Sequence, residues 1–317
     1  MTYRGGRSAA RLASCFVGIS EVLAMRFLVM ILNKLKHMRI KHSVRRKFKK
    51  RLGYTLNLEA PKTYCEKVQW LKFNQIADDE RIITRADKYA VRAYIESRGF
   101  GEHLVDLYGS WDKPKKIDWQ KLPNRFVLKL SNGSGSRCCW FVKDKKLFSR
   151  TQFENDAGAV MAKKYGLRYG EFHYAKMPPR VIAEEYLEDG SQAIKDYKFY
   201  CFHGKVVFFS VEQGKVEGDP VRDYYDIDWS RSSVRFFGDH PRPEQPFAKP
   251  ANFNRMILMA ETLSQGYPHI RVDLYNVDGR IFFGELTYTP ENGLTRWDPL
   301  SLDLEYGHLM DINNISH

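Results

Sequence analysis

The chain has 317 residues, enough for one large domain or two lobes, and 14% aromatic residues supply a sizeable core. Its net charge is +13, but residues 1–51 hold 14 Lys and Arg against the single acid Glu21, leaving 37 of each sign in residues 52–317. The high basicity therefore describes a tail, and a neutral body with no basic groove or recognised motif argues against a nucleic-acid partner.

Within the tail, Leu12 to Leu32 is mostly apolar but carries Glu21 and Arg26, and Lys34 to Arg51 holds ten Lys and Arg with no acid. A charge near the centre of a membrane span costs roughly 2.5–3.5 kcal/mol, so two such charges argue against a transmembrane helix. No small-residue cleavage pattern marks a signal peptide. Three readings remain: an amphipathic helix lying on anionic lipid, a basic helix packed on its own domain, or upstream sequence that is not natively translated, with Met25 as a later start. Five scattered cysteines without a Cys-x-x-Cys pair support neither a zinc site nor a disulfide framework, so a reduced, cytoplasmic protein is the default, with the tail as a peripheral contact to the inner membrane face.

In the body, Thr63-Tyr-Cys-Glu66 reads as a capping box opening a helix through Phe73. Asp87 to Ile95 reads as a second helix ending near Gly99. Leu104 to Tyr108 is a predicted strand, Asp118 to Leu122 a helical turn, and Arg125 to Leu130 a strand. Ser131-Asn-Gly-Ser-Gly-Ser136 is a small-residue loop, followed by a strand over Cys138 to Val142. A helix is expected over 151–165 and a strand over Arg180 to Leu187. Asp196 to Phe202 and Lys205 to Ser210 form a hairpin across His203-Gly204. Residues 219–250 read as irregular. Asn252 to Leu263 is a helix, and His269 to Thr287 a second hairpin turning at Asn276-Val-Asp278-Gly279. Helices mixed with antiparallel hairpins predict an α+β fold.

Several constellations could carry chemistry. In the second hairpin, Asp273 and Glu285 can project from one face beside Arg271, as a hard-cation site or as a cross-strand charged pair. Lys129 ends a strand before the 131–136 loop, whose glycines and serines suit an anion or a plain turn. Lys88 follows Asp87 at a helix start, where phosphate is also favoured. Glu184-Glu185-Tyr186-Leu187 ends a strand where adenine could be read. Asp196 and Lys198 share a strand face. Asp226-Ile-Asp228 fits a glycosyltransferase using a nucleotide sugar, or an acidic turn. Neither a His-Glu-x-x-His nor a Gly-x-Ser-x-Gly motif is present.

Six segments then align in one order: Pro61 to Lys72, Asp87 to Arg92, Phe126 to Lys129, Val181 to Asp189, Asp196 to Phe199, and Arg271 to Thr287. The chain resembles the ATP-grasp superfamily, and within it the TupA-like branch linked to teichuronopeptide and cell-surface polysaccharide synthesis. The resemblance covers about residues 52–295. It implies two lobes of mainly antiparallel sheet enclosing a nucleotide cleft: a basic segment over 1–51, a reduced helical part over 52–124, a small lobe over 125–187 and a large lobe over 188–317.

It also implies roles. ATP phosphates would be held by Lys88 and Lys129, under a loop of Ser131, Gly133, Ser134, Gly135 and Ser136. Adenine would be read by Glu184, Glu185, Tyr186 and Leu187, with Asp196 near ribose or metal. Magnesium would be bound by Asp273 and Glu285. The family Asn two residues after the metal Glu is Thr287 here, with Asn292 as the candidate substitute. Arg271 and Lys198 would be the catalytic cations. The implied reaction joins a carboxylate, on a sugar or amino acid, to an amine through an acyl-phosphate, which calls for positioning and charge neutralisation. A sugar kinase and a non-catalytic nucleotide-binding scaffold stay open beside it.

Overall fold

The computed structural model describes residues 6–133, 135–190, 193–215 and 218–313, and their side chains apart from those of residues 6–26, 29, 33 and 136. A long helix, α1 (Gly6–Leu52), leads into α2 (Tyr64–Leu71), whose cap is the expected reciprocal Thr63–Glu66 box. The α2 helix runs on into a π-helical turn, Lys72–Ile76. Two short helices follow, α3 (Glu80–Ala86) and α4 (Val91–Ser97).

A four-stranded antiparallel sheet comes next, built from β1 (Leu107–Trp111), β2 (Phe126–Leu130), β3 (Cys139–Val142) and β4 (Val181–Glu185) in the order β1-β4-β2-β3. Between β3 and β4 lie α5 (Arg150–Met161) and α6 (Phe172–Lys176). Strand alternation splits the sheet's two faces. Phe126, Leu128, Leu130, Val181 and Ala183 join the apolar cluster that includes Phe153 and Ala157 of α5. Lys129 and Glu184 are left on the opposite face.

The second sheet has five strands: β5 (Lys195–Phe202), β6 (Lys205–Gln213), β7 (Val221–Asp226), then, after the two-residue β8 (Arg235–Phe236) and α7 (Phe253–Leu263), β9 (His269–Val277) and β10 (Arg280–Thr287). Its order is β10-β9-β5-β6-β7, every pair antiparallel. The chain closes with β11 (Trp297–Asp298), paired to β8, and α8 (Leu302–Leu309). Phe199, Phe209, Ile270, Val272 and Leu274 pack with Met256, Met259 and Leu263 of α7 in the main core.

Several expectations shift. The first strand lies at 107–111, later than the sequence suggests. The stretch expected to be irregular, 219–250, contains β7 and β8. Its charges read as loop because their partners are distant in sequence: Arg222 pairs with Glu212 at 3.1 Å, and Asp223 with Arg231 and Arg242 at 2.6 and 2.7 Å. Buried ionic groups are tolerated when paired in this way.

The β9–β10 hairpin turns through Asp278 and Gly279, both at positive φ (49° and 76°), as a two-residue turn requires. From there Val277 pairs with Arg280 and Leu274 with Phe283, yet Asp273 pairs with Glu285. Gly284 is the extra residue of a β-bulge. An unbroken ladder would set Glu285 against Val272, which faces the apolar core. The bulge therefore places both carboxylates on one face. A Cβ on Gly284 would lie 2.9 Å from the Asp273 carbonyl oxygen. Gly284→Val should cost about 1–3 kcal/mol by urea denaturation, as overpacking does. Wild-type stability would show that the bulge has room for a side chain.

Candidate functional site

The polar face of the four-stranded sheet meets that of the five-stranded sheet across a small cavity lined by Lys88, Arg92, Lys129, Glu184, Phe283 and Gly284, with Leu104 and Val105 at its edge. Lys129 Nζ donates to Glu184 Oε2 at 2.7 Å, and Arg92 Nη1 lies 3.8 Å from the other oxygen of that carboxylate. Burial alone would lower the pKa of Lys129; the Glu184 carboxylate turns the shift upward, so the ammonium stays charged.

Lys88 is fixed by its neighbours. Asp87 accepts from the backbone of Tyr89 and Ala90, capping the turn into α4, and also from the Ser131 hydroxyl at 2.7 Å. Lys88 Nζ then reaches the Gly133 carbonyl at 2.7 Å and Glu285 Oε2 at 3.2 Å. One ion pair thus ties the segment before α4 to β10 of the other sheet.

On that sheet, Asp273 and Glu285 stand opposite each other. Arg271 forks onto Asp273 (Nε to Oδ1 2.7 Å, Nη2 to Oδ2 2.8 Å), and Nη2 also reaches Glu285 at 3.2 Å and Thr287 Oγ1 at 3.3 Å. The Thr287 hydroxyl donates to Glu285 at 3.0 Å. Lys198, opposite Asp273 on β5, pairs with Asp196, with Asp273 at 3.2 Å and with Glu212 at 3.6 Å. Burial would raise the pKa of Glu285, but Lys88, Arg271 and Lys198 together hold its carboxyl well below the usual range. Glu212 is held at about 2, where Lys198 and Arg222 outweigh its burial.

These groups can take a phosphorylated ligand and a hard cation. Every cation of the cluster is matched by a carboxylate, so phosphate oxygens could take over as partners of Lys88, Arg92 and Lys129. Two carboxylates face the same space, with Glu285 28% exposed at its side chain and Asp273 5%. Among the described residues no group of three or more His, Cys, Asp or Glu is arranged to hold a metal. That donor set fits magnesium, which uses one or two carboxylates together with substrate phosphates.

The other expected residues divide. Ser131 is buried and its hydroxyl is committed to Asp87. Gly133 supplies a carbonyl to Lys88, and Gly135 is exposed. Ser134 and the Ser136 side chain lie outside the described residues. Glu184 points at Lys129, whereas the Glu185 N–H is used by the Asp106 carbonyl at 2.9 Å. Tyr186 carries the Arg125 guanidinium over its ring, and Leu187 packs with Val105, Val277 and Phe282. Asn292 does not face the carboxylate pair: with its amide nitrogen turned to Glu171, it donates at 2.5 Å. Asp228 closes a turn on Ser230, accepting from its N–H at 2.9 Å and its hydroxyl at 2.6 Å.

Sequence reading missed Arg92, although it falls one helical turn after Lys88. It also missed Glu212 and Arg222, for which the sequence holds no local signal.

The TupA-like ATP-grasp family profile matches residues 66–311. Similar solved structures include the D-alanine–D-alanine ligase of Helicobacter pylori (16% identity, TM-score 0.46, covering 80% of this chain and 70% of that one). They also include the ATP complex of the Bacillus anthracis D-alanine–D-alanine ligase (13%, 0.41, 72% and 65%) and the L-amino acid ligase of Bacillus licheniformis (13%, 0.40, 73% and 50%). No curated protein matches the chain. The profile match covers most of the body, and on it the chain belongs to the TupA-like ATP-grasp family and is an ATP-grasp enzyme.

Proposed function

We propose that the protein is an ATP- and magnesium-dependent carboxylate–amine ligase, working through an acyl-phosphate on a cell-surface polysaccharide or its precursor. The single observation carrying this reading is the Lys88–Glu285 ion pair at 3.2 Å, which sets a phosphate-type cation beside a metal-type carboxylate far from it in sequence. Lys88 and Lys129 hold the phosphates, Arg92 supports them, and the end of β4 lies beside the base. Asp273 and Glu285 hold the metal, oriented by Arg271 and Thr287. Bound magnesium and ATP supply the activated phosphoryl group and part of its charge neutralisation. Arg271 and Lys198 stabilise negative charge where the phosphoryl group moves, already aligned by Asp273. The two sheets act as the small and large lobes.

Val44 and Phe48 of α1 are buried and His37 stacks on Phe172 at 4.2 Å, so the end of α1 is seated on the body. Phe27, Leu28, Ile31, Leu32, Leu35 and Met38 are exposed, and the basic run from Lys34 overlaps their end. No helix among the described residues is long and apolar enough to cross a membrane. We propose that this apolar stretch lies in an anionic lipid surface, with Lys34 to Arg51 adding electrostatic attraction.

Two experiments test these proposals. With ATP and magnesium the wild type should gain thermal stability by mass action. Lys129→Ala and Glu285→Ala, each compared with its own ligand-free melting point, should lose most of that gain; equal gains in all three proteins would dismiss the assigned site. Separately, the full chain carrying Phe27→Gln, Leu28→Gln, Ile31→Gln and Leu35→Gln should bind phosphatidylglycerol vesicles about tenfold more weakly. Unchanged binding would refute insertion of the apolar stretch.

A further inference from the structure

Beyond β10 the chain enters a turn in which Glu291 and Asn292 both adopt left-handed backbone (φ 48° and 58°), followed by Gly293 at φ 65°. A Cβ makes this conformation unfavourable, so two successive non-glycine residues persist in it only where their surroundings hold them. The surroundings here are unusually dedicated. Gln69 of α2, fully buried, donates through Nε2 to the Asn292 carbonyl at 2.8 Å and the Gly293 carbonyl at 2.9 Å. Lys72, also fully buried, donates to the same Asn292 carbonyl at 3.0 Å. From the other side, Glu171 accepts from the Thr289 hydroxyl at 2.5 Å and, with the Asn292 amide turned to bring its nitrogen to the carboxylate, from Asn292 at 2.5 Å.

Gly293 is pressed against α2 so closely that a Cβ would lie 2.8 Å from Val68 Cγ1. Lys72 opens the π-helical turn, a distortion frequent at functional sites. Burying an ammonium and a carboxylate is expensive. In this structure the hydrogen bonds of both go to one short turn.

That turn carries Glu291, which is half exposed and sits 3.8 Å from Arg271 Nη1. The other guanidinium nitrogens are occupied: Nε by Asp273, and Nη2 by Asp273, Glu285 and Thr287. Nη1 is the nitrogen left towards the turn. We propose that Gln69 and Lys72, with Glu171 opposite them, are positioning residues that hold the 289–293 turn so that Glu291 fixes the free edge of Arg271 for the phosphoryl group being transferred. This rests on the ligase reading, in which Arg271 meets the terminal phosphate.

The test compares ATP with ADP, since only ATP presents that phosphate. Affinities of the full-length protein for each nucleotide with magnesium are measured by calorimetry. Gln69→Leu removes both hydrogen bonds without changing charge, and should lower the ATP-to-ADP affinity ratio about tenfold, as a misplaced catalytic group does, while leaving ADP binding nearly unchanged. Asn292→Gly accepts the left-handed backbone and removes only the side-chain tie to Glu171; it should shift the ratio the same way and covers the case in which Gln69→Leu does not fold. A purely structural role would lower the melting point and leave the ratio at its wild-type value in the folded variants, overturning the inference. A wild type that binds neither nucleotide would overturn the ligase reading, and the inference with it.

Discussion

One backbone irregularity sets which side chains of β10 stand beside Asp273 and Arg271. From a two-residue turn at Asp278-Gly279, an unbroken ladder would send Glu285 into the apolar layer beneath β9. The extra residue at Gly284 reverses the side-chain parity of the rest of β10, so Glu285 and Thr287 join Asp273 and Arg271 on the polar face. The reversal requires a residue that can pass close to the Asp273 carbonyl, and glycine does so without strain. Removing the bulge would keep the sheet and lose the site.

Charge balance is the second constraint. Lys88, Arg92, Lys129, Lys198 and Arg271 lie near one another, which would be strongly unfavourable without counter-charges. Glu184, Asp196, Glu212, Asp273 and Glu285 provide them, all at 3.8 Å or less. Ligand binding is then an exchange of partners within an existing ionic lattice. On the proposed assignment, a phosphate arriving at Lys129 would compete with Glu184, and a divalent ion arriving at Glu285 would compete with Lys88. If both arrive together, each compensates the charge the other displaces. On that assignment a metal–nucleotide complex would be favoured over either component alone.

Much of this was legible in the sequence wherever the signal was local. The Thr63–Glu66 box, the two hairpins and the alternation that puts Lys129 on one face and Leu128 and Leu130 on the other follow from periods and turn residues. The convergence of Lys88, Lys129, Asp273 and Glu285 did not follow from any one of them; it came from their order, through the family resemblance. What stayed hidden was non-local. Asp273 and Glu285 were expected to share a face, but the bulge that makes them do so has no signature beyond one glycine in a strand. Arg222 and Asp223 looked like loop residues until Glu212, Arg231 and Arg242 were placed against them. Ser131 looked like a phosphate donor because its engagement with Asp87 spans 44 positions.

The segment ahead of Lys88 is short and helical. No separate sheet precedes it among the described residues; α2, the π-helical turn and α3 stand there instead. This layer closes the Arg271 end of the large sheet: Tyr64 packs edge-on to Trp297 and hydrogen-bonds His269, two residues before Arg271. The seat of α1 belongs to the same layer, since Val44 clusters with Phe73 and Phe172, the neighbours of Lys72 and Glu171. The basic helix is therefore attached at the Arg271 end of the cleft, and the strand end that would face the base lies elsewhere, around Leu187, Val105 and Val277. If α1 rests on a lipid surface as proposed, that contact is tethered to the Arg271 side of the molecule through Val44 and Phe48.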